Sequence, residues 1–411
     1  AATLLLPYFE VAEARLGETT LFTVTNVSDV EQIARVTLWT DLSYPVITFD
    51  IYLTGYDVQS VNLYDVIMRG RIGGARGTGK FVSPAGEHAH HNAHLQTGNC
   101  GEVPPDVPES VLAKMQSALI EGTVAGCKGV GHAHENAVGY ATIDLVRNCV
   151  AGRGPADPRY WTEDILFNNV LIGDYLQVNR GQNFAQGNPM VHIRAIPDGG
   201  SIRERKTLPA RRMPFKRTFY SRFQDPSNPT ADGRQPLPTM FAARWINGGT
   251  GYFETWLKIW REPVTGTTAR CADYANNSYS VYESVSFDDD ENGEGIPGPE
   301  IIVCCVFGDE VELPSTSLIE AGDEDVLPQN TFDDSVSGWI YFNLDSANYT
   351  QNDAPPRQGW IALDMRAEAR YSVSFDAAYL GNGCSPSLPT TEFTEGYVDG
   401  VFPGPAEDVN P

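Results

Sequence analysis

Hydrophobic and polar residues alternate with a period of two over much of the chain. Four such runs lie near the start, at residues 21–25, 34–39, 46–53 and 57–63, and turn-forming residues separate them. Because successive side chains of a strand point to opposite faces of a sheet, this alternation predicts half-buried β-strands rather than helices. Short strands at such close spacing are typical of a β-sandwich, so the pattern predicts an all-β fold.

Two blocks of this pattern recur later in the chain. Residues 22–39 and residues 241–260 each run from a Phe through an Asn to a Trp, and the interval from Asn to Trp is 13 residues in both. Residues 139–145 and residues 338–344 share the order Gly, aromatic, two variable positions, Ile or Phe, Asp or Asn, Leu. Recurrence in the same order predicts a tandem duplication into two Ig-like or jelly-roll-type β-sandwich domains, with chance similarity of generic strands as the alternative.

Turn-forming residues divide the chain into four regions. We predict a first sandwich over residues 1–200 and a second over residues 218–384. Between them, residues 201–217 form a basic linker; the Pro and Gly residues at 197–200, just before it, and Pro209 within it break any strand. The last region, residues 385–411, is a Pro- and Thr-rich tail that is not expected to form a helix.

Each predicted sandwich contains an insertion. In the first sandwich, residues 70–136, approximately, leave the strand pattern and contain one convincing helix at about 108–121. Asp106 is expected to cap this helix and Gly122 to end it. The apolar stripe of the helix consists of Val111, Leu112, Met115 and Leu119. In the second sandwich, residues 262–336, approximately, are acidic and rich in Gly and Pro, which predicts a second insertion.

The charge of the chain is strongly negative and unevenly distributed. There are 29 Lys and Arg residues against 53 Asp and Glu residues, which gives a formal net charge of −24. Such a balance disfavours nucleic acid as a partner, because phosphate binding requires a basic face. Seven basic residues nevertheless lie within residues 202–217, and they make this linker a candidate for binding the acidic surface of another copy of the chain. The arginines proposed for this contact are Arg203, Arg205, Arg211 and Arg212; a solvated linker is the alternative.

The sequence also predicts an exported protein. Its first residues lack a basic segment and are expected to be the start left after removal of a signal peptide, and no apolar run reaches the length of a membrane-spanning helix. The cysteines show no zinc-finger spacing, which favours disulfides in an oxidising compartment over metal thiolates or reduced buried thiols. A bridge between Cys100 and Cys127 would close the first insertion. The seven candidates are Cys100, Cys127, Cys149, Cys271, Cys304, Cys305 and Cys384.

Several motifs near the N-terminus resemble a group of secreted bacterial proteins without an assigned activity. The motifs are LLLPYFEV at residues 4–11, TLFTVTN at 20–26, VTLWTD at 36–41 and YLTGYDVQ at 52–59. Residues 183–187 and 370–373 extend the similarity over most of the chain. The resemblance implies export and β-sheet, and it supplies no catalytic residues.

Six of the seven histidines lie in the first insertion. Imidazole is a common ligand of Zn²⁺ and Cu²⁺, and alternate histidines on an extended strand point to the same side. Two such pairs facing each other would make a site of four histidines. The alternative is a solvated His-rich loop that binds metal only adventitiously. The candidate ligands are His88, His90, His91, His94, His132, His134 and Glu135.

An acidic segment in the second insertion resembles the start of a Ca²⁺-binding loop. Its candidate ligands are Asp288, Asp290, Asn292 and Glu294. However, Pro299 occupies the twelfth position, where a Ca²⁺ loop of the helix–loop–helix type has Glu, and no helices are expected on either side. An acidic hairpin on the surface is therefore the alternative interpretation.

These features lead to one principal functional hypothesis. We predict a non-enzymatic, extracellular structural protein that self-assembles into a surface filament or layer through its basic linker and its termini. The apolar N-terminal segment could add a strand to the sheet of a neighbouring copy, although the first strand of its own sandwich is the default. The residues proposed for that contact are Leu4, Leu5, Leu6, Tyr8 and Phe9.

A second hypothesis concerns ligand binding. The chain could be a secreted module that binds Zn²⁺ or Cu²⁺ through its histidines, or surface glycans through exposed aromatic residues such as Trp161, Trp245 and Trp256. A secreted hydrolase also stays open, although the sequence has no nucleophile motif and singles out no pair of carboxylates.

Overall fold

The computed structural model describes twelve segments of the chain. They are residues 1–72, 107–147, 153–195, 218–223, 232–249, 252–264, 270–288, 293–296, 312–321, 337–346, 357–367 and 371–380. These segments consist mainly of antiparallel strands with few helices, which confirms the predicted all-β class. The basic linker, with Arg203, Arg205, Arg211 and Arg212, and the tail at residues 385–411 lie outside them.

The first sandwich is formed by two sheets whose inner faces pack together. One sheet has the order β11-β1-β8-β3-β4 and the other the order β10-β9-β2-β5. The strands are β1 (Thr3–Val11), β2 (Glu18–Asn26), β3 (Gln32–Thr40), β4 (Pro45–Leu53), β5 (Val58–Asn62), β8 (Ala137–Val146), β9 (Leu171–Asn179), β10 (Phe184–Pro189) and β11 (Val191–Ile193). A two-stranded ribbon, β6 (Thr123–Val124) and β7 (Cys127–Lys128), lies in the first insertion.

The second sandwich also consists of two antiparallel sheets. Their orders are β15-β14-β18-β12-β21, with β16 paired to β14, and β17-β13-β19-β20. The strands are β12 (Met240–Ile246), β13 (Phe253–Arg261), β14 (Tyr279–Asp288), β15 (Gly293–Ile296), β16 (Glu312–Leu313), β17 (Thr316–Glu320), β18 (Ser337–Ser346), β19 (Gly359–Ala367), β20 (Tyr371–Asp376) and β21 (Ala378–Tyr379).

The two sandwiches repeat one topology strand by strand. If β1 to β5 are matched with β12, β13, β14, β15 and β17, and β8 to β11 with β18 to β21, both sheet orders coincide. The match extends to single residues, because Gly139 pairs with Phe9 as Gly338 pairs with Trp245. At both glycines an added Cβ would collide with a carbonyl oxygen of the next strand and with the ring of that aromatic partner.

This correspondence corrects one of the two repeated sequence blocks. Residues 139–145 and 338–344 do lie on matching central strands, β8 and β18. Residues 22–39, however, span β2 and β3, whereas residues 241–260 span β12 and β13, so that block is displaced by one strand. The pattern of a Phe strand, an Asn turn and a Trp strand is common to many antiparallel pairs, which explains the false match.

The prediction of an acidic insertion at about 262–336 is wrong in part. Strands β14 to β17 fall within it, and β14 pairs with β18 and β15 inside the second sandwich. The alternating sequence Tyr279–Asp288 was concealed by the Asp- and Gly-rich residues that follow it.

The predicted helix of the first insertion is present at Glu109–Ile120. Met115 and Leu119 are buried and Leu112 packs against the core, whereas Val111 is exposed, contrary to the predicted stripe. Gly122 ends the helix with a φ of +66°, a left-handed conformation that favours glycine. The expected cap Asp106 lies outside the described segments. A shorter helix, Leu63–Ile67, follows β5. Among the helices described, none is long and apolar enough to cross a membrane.

The N-terminal strand does not have the intermolecular role considered for it. Strand β1 pairs with β8 along most of its length and with β11 at Thr3, Leu4 and Leu5, so it forms the first strand of its own sandwich, as the default interpretation predicted. Its side chains form part of the first core, which corrects the proposal that they bind another copy. The buried residues are Leu4, Leu5, Leu6, Tyr8 and Phe9.

The two sandwiches contact each other across an internal junction. Thr316 donates its hydroxyl to the carbonyl oxygen of Pro7, and the Trp260 ring lies 6.0 Å from that of Tyr140. A disulfide joins Cys127 to Cys271 across the same junction, with Cα atoms 5.7 Å apart. It replaces the predicted bridge between Cys100 and Cys127, because Cys127 is already bonded to the second sandwich. The remaining cysteines, Cys100, Cys149, Cys304, Cys305 and Cys384, lie outside the described residues.

Candidate metal centre

A buried carboxylate lies where the first sandwich meets the second. Asp41 directly follows β3, in a tight turn where the Ser43 amide donates to the carbonyl oxygen of Thr40 at 3.0 Å. Ser43 itself has a φ of 63°, and Thr40 donates its hydroxyl to the carbonyl oxygen of Val130. The turn is thereby attached to the segment that follows β7, residues 129–136, which carries the histidines.

That histidine segment is fixed to the end of the preceding helix. The Val130 amide donates to the carbonyl oxygen of Gly122 at 3.1 Å, and the His134 amide donates to that of Ile120 at 2.8 Å. At Gly131 an added Cβ would lie 2.9 Å from Oδ1 of Asp41. Glycine at this position therefore allows the backbone to approach the carboxylate closely.

Both histidines of the segment contact the same carboxylate oxygen. Nδ1 of His132 lies 2.6 Å from Oδ2 of Asp41, and Nε2 of His134 lies 3.1 Å from it. The backbone amide of His132 also donates to Oδ1 of Asp41 at 3.1 Å. The two imidazole rings meet edge to face with centroids 6.3 Å apart. Two imidazoles and one carboxylate therefore converge on a single point.

The three side chains differ in exposure. The Asp41 side chain is buried, with 2% of its surface exposed, whereas His132 is 46% and His134 29% exposed. Burial alone would raise the pKa of Asp41, but the hydrogen bonds from the two histidines outweigh it and hold that pKa below its ordinary value. The hydrogen bond to Asp41 raises the pKa of His132, while partial burial opposes the rise. The site thus has a buried anionic base and a solvent-facing imidazole rim.

The ligand atoms have the composition of a transition-metal site. One carboxylate oxygen and two imidazole nitrogens, from Asp41, His132 and His134, all lie within 4.8 Å of one another. Three protein ligands of this kind leave a fourth position open to solvent in tetrahedral zinc sites. The group is thus suited to hold a divalent ion accessible from outside.

The site is continuous with the internal junction. The carbonyl oxygen of Asp41 accepts from the Thr316 amide at 3.2 Å, and the carbonyl oxygen of Leu42 accepts from the side-chain amide of Asn277 at 2.8 Å. The disulfide from Cys127 to Cys271 begins four residues before Gly131. Residues of both sandwiches therefore position the carboxylate.

The histidine prediction can be tested only in part. His132 and His134 do face one point, as alternation predicted, but their common partner is Asp41 rather than a second histidine pair. Glu135 is exposed and not part of this group. His88, His90, His91 and His94 lie outside the described segments, so the proposed site of four histidines stays a prediction. A carboxylate that ends the buried motif VTLWTD was the available signal for Asp41.

The acidic segment of the second sandwich lies between two strands that pair with each other. Phe287 on β14 pairs antiparallel with Gly293 on β15, an arrangement consistent with the alternative interpretation of a hairpin. Asp288 ends β14 and Glu294 lies on β15, while Asp290 and Asn292 are outside the described residues. Calcium binding at this turn stays a prediction.

Two of the three aromatic residues considered for glycan binding are buried. Trp161 and Trp245 are buried in the structure, and Trp256 is half-buried beneath the guanidinium of Arg366, which lies 5.5 Å from its ring. Their prediction as exposed ligands is therefore wrong for the first two. The most exposed Trp of the described segments is Trp339 on β18.

Neither a protein-family model, nor a curated protein, nor a solved structure matches the chain. The function is therefore inferred from the geometry of Asp41, His132 and His134 alone.

Proposed function

We propose that the protein binds a divalent transition-metal ion, Zn²⁺ or Cu²⁺, at the junction of its two sandwiches. The observation that supports this is the contact of one carboxylate, that of Asp41, with both His132 and His134. A single hydrogen bond to Asp41 would suffice to satisfy one imidazole. Convergence of two imidazoles on one oxygen is the arrangement that a shared cation stabilises.

The donor set favours a transition metal over the hard cations. Ca²⁺ takes six to eight oxygen ligands and Mg²⁺ retains several waters, whereas imidazole nitrogen suits Zn²⁺ and Cu²⁺. The site supplies two nitrogens and one carboxylate, and His132 and His134 are the exposed members. An ion can therefore be delivered from solvent and meet its anionic ligand at the bottom of the site.

Only a small rearrangement is needed to admit the ion. The Asp41 oxygen lies 2.6 Å from the ligand nitrogen of His132 and 3.1 Å from that of His134. Metal–ligand bonds of about 2.0–2.1 Å in a tetrahedral site place ligand atoms roughly 3.3–3.5 Å apart. A rotation of the exposed His132 ring by less than about 1 Å provides that separation, because solvent rather than protein covers its outer side.

Metal binding would also stabilise the junction. Asp41 is attached to Thr316 of the second sandwich, so an ion that fixes Asp41 favours the docked arrangement of the two sandwiches. A ligand present at 100 times its dissociation constant adds about 2.7 kcal/mol to the free energy of unfolding. The thermal midpoint should therefore rise when Zn²⁺ is added, without any change in secondary structure.

The test is a competition titration with Zn²⁺ and Cu²⁺ against a chromophoric chelator. The background protein carries His88, His90, His91 and His94 all changed to Gln, so that these histidines cannot contribute. In this background we expect one equivalent of metal to bind. Adding Asp41→Asn, or His132→Gln with His134→Gln, should weaken the affinity at least about tenfold, since even outer-shell changes cost 10- to 100-fold.

His192→Gln provides the matched control. This histidine belongs to β11 and contacts Gly173, far from Asp41 along the sheet, so its loss should leave the affinity unchanged. Circular dichroism checks that each variant stays folded. Equal affinity with and without His132 and His134 would contradict the proposal, as would the absence of any binding tighter than millimolar.

A further inference from the structure

Each sandwich has a pair of aromatic residues at the same position on its outer face. In the first, Trp39 on β3 pairs with Tyr140 on β8; in the second, Phe287 on β14 pairs with Trp339 on β18 at the matching positions. Arg244 on β12 pairs with Trp339 from the other side. We call Arg244, Phe287 and Trp339 the head surface.

The first of these pairs is covered by other parts of the molecule. Trp39 and Tyr140 stack with centroids 5.7 Å apart and are almost fully buried. Phe223 lies 5.3 Å from Trp39, and Trp260 of the second sandwich lies 6.0 Å from Tyr140. Burial of such aromatic pairs contributes more than their area alone, because edge-to-face contacts add to it.

The head surface, in contrast, is open to solvent. Trp339 is 52% exposed and Phe287 37%, and Arg244 beside them is also exposed. Isolated apolar residues are normal on a surface, but a Trp and a Phe directly opposite each other on neighbouring strands form a contiguous patch. The position that the second sandwich covers on the first is thus uncovered on the second.

The face that the second sandwich contributes to the internal junction also has an equivalent on the first sandwich, and that equivalent is uncovered. The second sandwich docks through the outer face of its β17-β13-β19-β20 sheet, where Trp260 and Thr316 contact the first sandwich and Trp360 pairs with Trp260 on the neighbouring strand. By strand register, Val58 and Ile172 of the first sandwich correspond to Thr316 and Trp360.

Within the described segments, the corresponding residues of the first sandwich do not take part in a contact of this kind, and they face solvent. Val58 is 55% exposed and Ile172 42%. Asp174 lies on the same face, where its carboxylate accepts from the Thr23 hydroxyl at 2.8 Å. We call Val58, Ile172 and Asp174 the tail surface. Its carboxylate is complementary in charge to Arg244 of the head surface.

We propose that the tail surface of one copy docks on the head surface of a second copy and repeats the internal junction between molecules. The two surfaces are different, so the contact is head-to-tail, and an open oligomer keeps one free head surface and one free tail surface at its ends. Such a contact builds a filament, or a ring if the two ends meet. It uses neither the N-terminal strand nor the basic linker that the sequence suggested for self-association.

The test is sedimentation velocity of the full chain at increasing concentration, up to about 100 μM, where a contact of micromolar affinity is saturated. The head variant carries Phe287→Ala and Trp339→Ala, and the tail variant carries Val58→Asp and Ile172→Asp. Each alone should associate at least about tenfold more weakly than the unmodified protein, since buried Trp residues dominate interfaces. An equimolar mixture of the two should form a dimer and nothing larger, because only one productive contact remains.

Two exposed residues outside both surfaces serve as controls. Leu16→Asp places an Asp at an exposed apolar position, as each substitution of the tail variant does, and Tyr252→Asn removes an exposed aromatic ring at a position of positive φ that Asn tolerates. Both should associate like the unmodified protein. Thermal unfolding confirms that the variants are folded.

Three results would overturn the proposal. The first is an unmodified protein that stays monomeric throughout the concentration range. The second is a tail variant that associates normally, which would indicate a symmetric contact between two head surfaces. The third is an equimolar mixture that contains no dimer although each variant is monomeric on its own.

Discussion

The two sandwiches have the same topology, but they differ in the polar residues on their outer faces: the covered face of the first has a charged residue where the second has a neutral one. Asp144 on β8 of the first sandwich is fully buried and accepts hydrogen bonds from Thr3, Tyr160 and Tyr220. Asn343 occupies the matching position on β18; it carries no charge, and its Oδ1 accepts from the Asp345 amide at 3.2 Å. A buried charge is tolerated only when it is paired or hydrogen-bonded. A covered face can therefore use carboxylates as attachment points, while an open face does not require them.

The β17-β13-β19-β20 sheet of the second sandwich and the equivalent β10-β9-β2-β5 sheet of the first also differ in whether their outer faces bury a charge. Lys258 on β13 is fully buried at the internal junction, 2.6 Å from Asp364, and burial lowers its pKa. Thr23 occupies the corresponding place on β2 of the first sandwich, where it faces solvent. At these two pairs of matched positions, a buried charge lies on the covered face, and a neutral residue occupies the equivalent place in the other sandwich.

The largest effect is expected when this buried ion pair is broken on one side. Lys258→Met removes the ammonium group and leaves the buried Asp364 carboxylate with the Ser374 hydroxyl and, at 3.5 Å, the guanidinium of Arg366; it should lower the free energy of unfolding by about 3–5 kcal/mol. Urea unfolding measures the change. Combining it with Asp364→Leu should recover most of the loss, because no unpaired charge remains.

Thr23→Val is the matched change on the solvent-facing side. Its effect on the free energy of unfolding should stay within about 0.5 kcal/mol, as is usual for surface substitutions. If Lys258→Met cost no more than Thr23→Val, the difference between covered and open faces would lose its energetic basis.

A smaller loss is expected from neutralising the carboxylate of the covered outer face. Asp144→Asn, which introduces the residue found at the matching position, weakens its bonds to Thr3, Tyr160 and Tyr220 and should cost about 2–3 kcal/mol. The reciprocal control Asn343→Ala removes one neutral bond and should cost about 1 kcal/mol. Chemical denaturation gives the free energy of unfolding of both variants. If Asn343→Ala costs as much as Asp144→Asn or more, the charge of Asp144 is not what stabilises its contacts with Tyr160 and Tyr220.

The smallest effect depends on pH. Partial burial, then the neighbouring Glu10, raise the pKa of Glu18 from 4.5 to about 7, although Arg366 and Lys258 oppose the rise. The unfolded chain therefore loses this proton at lower pH than the folded protein does. Stability contributed by protonated Glu18 is complete below about pH 4.5 and is lost as the pH rises through about 7.

Glu18→Gln should remove this dependence. At pH 8 the variant should be more stable than the unmodified protein by about 1–2 kcal/mol, after allowance for solvent screening, and near pH 4.5 the two should coincide. Glu254→Gln changes an exposed carboxylate and should leave the pH profile as it was. Parallel profiles for the Glu18 variant and the unmodified protein would show that the junction does not perturb Glu18.

The local pattern of the sequence was sufficient for the strands. Period-two runs correctly predicted β2 to β5, and the run of Gly, aromatic and Asp or Asn correctly identified β8 and β18 as equivalent. Strand β14 was missed because its flanking Asp and Gly residues resemble a turn-rich insertion. Periodicity reports which face of a strand is buried, and it carries no information about which strands become neighbours.

The candidate metal centre shows the same limit. The pair His132 and His134 could be predicted to face one way because alternation is a property of a few consecutive residues. Asp41 lies 91 residues earlier than His132, and the two meet only after β3 and β8 have paired. The disulfide was missed for the same reason, since Cys127 and Cys271 are 144 residues apart. Contacts of such separation follow from topology rather than from local pattern.

That disulfide determines the covalent connectivity of the protein after cleavage. It closes a ring that contains every residue from Cys127 to Cys271, including the basic linker at residues 201–217. A protease that cuts once anywhere in this ring leaves a single covalent molecule, so the two sandwiches separate on a gel only after reduction. The two sandwiches are thus joined by two covalent connections, the polypeptide chain and the disulfide. A single cut in the linker therefore does not release either sandwich.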